Sequence, residues 1–167
     1  MRIKLFFFFL VFFSLFNNAF SSIENRIIAK IDNEIITNYD LVNEVNTILA
    51  LTNRPANKNE LGKLQNLAFA SLKKRLIKET EIKRYKISNY NTADIDNYIQ
   101  SLESNLGLIQ QNISLKDHFK KYGANYDNYF EGVIVNFKWN SLIYSLYVKQ
   151  LDVDEELIKS EINRQIQ

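Results

Sequence analysis

The chain has 167 residues, 21 basic and 19 acidic side chains, one histidine and no cysteine. That composition rules out a disulfide framework, a cysteine-anchored lipoprotein and a zinc site of the usual cysteine and histidine ligands. The small net charge gives no extended positive field for capturing nucleic acid.

The first 21 residues carry the strongest local signal. Arg2 and Lys4 precede Leu5 to Phe16, a run that is apolar except for Ser14 and contains seven phenylalanines. Asn17 and Asn18 end it, and Ala19-Phe20-Ser21 spaces two small residues before Ser22. Basic, apolar, then small is the layout of a secretory signal peptide, with cleavage expected between Ser21 and Ser22. Twelve residues fall short of the roughly 20 needed to cross a bilayer, so no stable membrane insertion is expected after cleavage. An uncleaved anchor is the alternative. Cleavage removes two basic and no acidic residues, leaving 146 residues with 19 charges of each sign. One exported domain, 22–167, is expected, and it must act without ATP.

The remaining elements predict a mainly α, irregular multi-helix domain with a short N-terminal β-hairpin. Ile27 to Ile31 is strand-like, Asp32-Asn33-Glu34 is a turn signal, and Ile35-Ile36 continues the pair. Thr37 with Asp40 resembles a capping box, opening a helix with Tyr39, Val42, Val45 and Leu49 on one side. That helix should stop near Thr52, ahead of Arg54-Pro55, because the residue before proline avoids helical geometry. A long second helix starts at Lys58 or Asn59, with Leu61, Leu64, Ala68, Leu72 and Leu76 as its stripe and a basic second half. A third carries Ile95, Ile99, Leu102 and Leu106 and closes on Gly107. Ser114 and Asp117 cap a short fourth helix with Leu115, Phe119 and Tyr122, closed by Gly123.

The fifth helix, Tyr126 to Leu151, is apolar on two sides. At 100° per residue, Phe130, Val133, Ile134, Phe137, Tyr144 and Val148 share one face; Val135, Trp139, Leu142, Ile143 and Leu146 lie roughly opposite. Such a helix is buried on both sides, or buried on one and adhesive on the other. Asp152 and Glu155 then open a last helix carrying Leu157, Ile158, Ile162 and Ile166.

No catalytic constellation is visible. His118 is the sole imidazole and reads as a surface or half-buried helix residue. Asp152, Asp154, Glu155 and Glu156 suit a helix N-terminus electrostatically and are not assigned a metal. No cofactor is expected. The basic run Lys73 to Lys86 reads as a solvated helix face.

Three stretches resemble the N-terminal domain of the SurA-type periplasmic chaperones, members of the parvulin-family peptidyl-prolyl isomerases. The first is Ile27-Ile28-Ala29-Lys30-Ile31-Asp32-Asn33-Glu34-Ile35-Ile36-Thr37-Asn38-Tyr39-Asp40-Leu41. The others are Gly123-Ala124-Asn125-Tyr126-Asp127-Asn128-Tyr129 and Leu151-Asp152-Val153-Asp154-Glu155-Glu156-Leu157. The resemblance implies an ATP-independent periplasmic chaperone for unfolded exported polypeptides, outer-membrane proteins above all. Val135, Trp139, Leu142, Ile143 and Leu146, with Tyr126 and Tyr129, are the expected peptide-binding residues; the competing expectation is that they fill the core. The last helix is expected to support self-association. Family members usually continue into isomerase domains, and this chain stops where the first would begin. The alternative is therefore an isomerase whose catalytic domain is missing here.

Overall fold

A computed structural model describes residues 26–31, 33–148 and 155–166. The expected cleavage bond between Ser21 and Ser22, and the acidic residues Asp152 and Asp154, lie outside these.

The described chain is mainly helical, with one antiparallel hairpin at its start. Strand β1 (Ile27–Ile31) pairs with β2 (Glu34–Thr37), Lys30 opposite Ile35, with a register irregularity between Ile27 and Ala29. Two strands alone are marginal in water. This pair packs through Ile36, 3 % exposed, against the helices, while Ile27, Ile28 and Ile35 remain exposed.

Helix α1 (Asn38–Thr52) starts with the expected box. The Thr37 hydroxyl accepts from the Asp40 N–H, and the Asp40 carboxylate accepts from the Thr37 N–H at 2.8 Å. It ends at Asn53, whose φ of 50° is the left-handed geometry that asparagine tolerates. The buried positions differ from the expected stripe. Val45 and Leu49 are buried on Ala68 and Leu64 of α2 (Leu61–Arg84), but Tyr39 and Val42 are exposed. A second face of α1, with Asn43, Thr47 and Ala50, is buried as well. Thus α1 is a central helix, covered on two sides.

A single 3-10 turn, Lys58–Glu60, precedes α2 and is capped by the Asn57 side chain. Helix α3 (Thr92–Asn105) is capped by Asn91 and breaks at Gly107, φ 68°, as expected. A one-turn helix that periodicity did not separate, α4 (Leu108–Gln111), follows and buries Leu108. Helix α5 (Leu115–Lys121) carries Phe119, 0 % exposed, into the main core beside Ala50, Leu108, Leu115 and Ala124. Gly123, φ 69°, turns the chain into α6 (Tyr126–Tyr147). The expected end at Leu151 lies outside the described residues. Helix α7 (Glu155–Ile166) is the last. No described helix is long and apolar enough to cross a membrane.

His118 is corrected by the fold. It is 5 % exposed, not at the surface. Its Nε2 lies 2.9 Å from the Ala50 carbonyl oxygen, so this nitrogen carries the proton and donates. The ring also packs on Tyr122, centroids 5.1 Å apart. The imidazole ties α5 to the C-terminal turn of α1.

Candidate functional site

Helix α6 explains its two apolar faces by lying between two partners. On one side Tyr98 of α3 meets Phe137 edge-on at 6.2 Å, and the Tyr98 and Tyr129 hydroxyls are 3.0 Å apart. On the other side α2 packs alongside. Arg75 Nη1 donates to the Asn128 side-chain and backbone oxygens at 2.8 and 3.0 Å, and approaches Gly132, where a Cβ would come within 3.4 Å of it. One turn further on, Lys78 Nζ donates to Asn136 Oδ1 at 2.6 Å and sits 5.9 Å from the Trp139 ring centroid.

The seven expected peptide-binding residues do not form one surface. Tyr126 and Tyr129 pack on the Phe119 core, with ring centroids 5.9 and 4.8 Å from it. Desolvation raises the phenol pKa of both above the ordinary 10.0, most of all for Tyr129. Leu142 is 2 % exposed and belongs to the core, so a ligand at this surface would not touch it. Val135 and Trp139 are partly buried, Trp139 beside Lys78 of α2. Ile143 and Leu146 are exposed, at 36 % and 39 %.

Those last two have two exposed neighbours: Tyr144, which the two-face pattern set on the opposite side, and Tyr147, which it assigned to neither. Tyr144 and Tyr147 are 68 % and 52 % exposed. At 100° per residue, Ile143, Tyr144, Leu146 and Tyr147 sweep roughly 160° of the helix circumference. The final turn of α6 therefore presents two phenols and two aliphatic side chains to solvent. It follows directly on the segment held by Tyr98, Arg75 and Lys78, so its backbone is anchored while its side chains are uncovered. The signal available in sequence was the density of apolar residues here, not their phase. Ile162 of α7 is exposed at 52 %, whereas the side chains of Leu157, Ile158 and Ile166 lie outside the description.

Among the described residues no group of three acidic, histidine or cysteine side chains is placed to hold a metal. The chain matches no family model, no curated protein and no solved structure.

Proposed function

We propose that this protein is an ATP-independent holding chaperone for unfolded exported polypeptides, acting in the periplasm on outer-membrane proteins. The observation that carries the reading is the exposed final turn of α6, with Ile143, Tyr144, Leu146 and Tyr147 side by side. Exposed apolar clusters on an ordered scaffold are binding surfaces in the making. Tyrosine offers a large contact area with a polar tip, so the patch tolerates water when empty. The signal-peptide-like start and the three SurA-like stretches support the compartment and the client class. A client would lay an aromatic-rich extended segment across the patch and leave by mass action when its own folding partner competes.

The test is suppression of aggregation. A β-barrel outer-membrane protein is diluted from urea into buffer with the purified protein, and light scattering is followed. The wild-type protein should suppress scattering. Tyr144→Ser combined with Tyr147→Ser should lose most of that suppression, while each exposed change leaves stability within roughly 0.5 kcal/mol. Equal suppression by the double variant would move the client off this turn. No suppression by the wild type would remove the chaperone reading.

A further inference from the structure

A cleft of about 340 Å³ lies between α1, α2, α3 and α6, away from the exposed turn of α6. Its volume falls within the range of small-molecule sites. Three features of its lining call for a ligand.

The first is charge. Lys74 and Lys78 stand one turn apart on α2, and neither forms an ion pair among the described residues. Among the described residues Lys78 meets the neutral Asn136 amide oxygen and the Trp139 ring. Its ammonium is held below the ordinary lysine pKa, by burial first and by the Lys74 charge second, as fits a cation short of a counter-ion. The third cation, Arg75, is already engaged by Glu79 at 2.9 Å and by Asn128. The one acidic residue on the lining, Glu44, accepts from the Ser71 hydroxyl at 2.6 Å.

The second is an orphan. Thr47 is 3 % exposed, lines this cleft, and its hydroxyl has no hydrogen-bond partner among the described residues. A buried helical threonine without a partner is uncommon, because the group loses its water and gains nothing. The third is a spare donor. The Tyr98 and Tyr129 hydroxyls share one hydrogen bond, so one of their two protons remains to be donated. Leu51 and Val133 supply apolar wall next to these polar groups.

We propose that this cleft binds a small organic oxyanion, a carboxylate or phosphate on an apolar or aromatic body. Lys74 and Lys78 take the charge, the spare tyrosine proton donates to its oxygens, the Thr47 hydroxyl, sealed from solvent in the free protein, turns toward the ligand to donate as well, and the body rests against Leu51 and Val133. The site is independent of the chaperone surface, and client binding can fail without affecting it.

Trp139 is the sole tryptophan, and the Lys78 ammonium lies near its ring, so its emission reports on the site. Benzoate, phenyl phosphate and inorganic phosphate are titrated into the purified protein at constant ionic strength, with chloride as the control. Benzoate or phenyl phosphate should give a saturable change, and their ratio identifies the preferred anion. Lys74→Gln keeps the reporter intact and should weaken binding by about tenfold, the loss of one charge-assisted contact. Thr47→Val should also weaken binding, while leaving the melting temperature of the free protein unchanged or higher, since no bond is lost. A response that is linear, or that follows chloride, overturns the site. So does unaltered affinity in Lys74→Gln. A Thr47→Val protein that melts earlier yet binds equally well would show the hydroxyl to be structural and remove the donor assignment.

Discussion

Leu142 and Leu146 offer a matched pair of perturbations on one helix, one turn apart. Both changes to alanine alter helix propensity equally, so the difference between them isolates burial. Leu142 is 2 % exposed, and truncating a fully buried leucine removes its transfer energy and leaves a cavity, about 2 to 5 kcal/mol in all. Leu146 is 39 % exposed, and burying a whole leucine is worth roughly 1.5 to 3 kcal/mol, so its truncation should cost about 1 kcal/mol. Urea unfolding followed by helix circular dichroism and by Trp139 emission measures both. With a typical slope of about 1 to 3 kcal/mol per molar urea, Leu142→Ala should move the midpoint down by about 1 M or more, and Leu146→Ala by far less. The holding assay should order them in reverse at low temperature: Leu146→Ala weakened, Leu142→Ala near wild type while folded. If Leu146→Ala is the more destabilising, the final turn of α6 is packed and cannot be a client surface. If Leu142→Ala costs nothing, the core described around α6 is wrong.

The loop into α6 should be sensitive to a single methyl group. Gly123→Ala places a Cβ on a residue at φ 69° and within 3.4 Å of the Asn46 amide, whose Nδ2 donates to the Gly123 carbonyl at 3.1 Å; a loss of about 1 to 2 kcal/mol is expected in thermal unfolding. Thr37→Ala removes the reciprocal cap of α1 and should cost about 1 kcal/mol, with faster amide exchange confined to its first turn. The phenols of Tyr126 and Tyr129 are raised above 10.0 in the folded protein, so folding is supported fully below pH 10 and loses that support as the pH climbs further. A spectrophotometric titration at 295 nm should therefore show these two of the nine tyrosines ionising late or only on unfolding, and Tyr98→Phe should ease Tyr129 downward by removing its hydrogen bond.

Local signals in the sequence determined where most helices begin and end. Thr37 with Asp40, Ser114 with Asp117, Gly107 and Gly123 act through backbone groups within a few residues, so their meaning survives without knowledge of the fold. The stripes Ala68-Leu72 and Ile95-Ile99 were legible for the same reason, since each helix has one covered side. Only the tertiary structure decided what happens to helices covered twice. In α1 the second buried face holds Asn43 and Thr47, whose polarity conceals burial: Asn43 accepts from the Asn125 N–H at 2.7 Å, a partner 82 residues away. The same holds for His118, whose partner is a backbone carbonyl on another helix. In α6 periodicity separated two apolar faces but not their depth along the axis, so Leu142 and Leu146 read alike. Burial there depends on where α2 and α3 end alongside, and no residue of α6 carries that length.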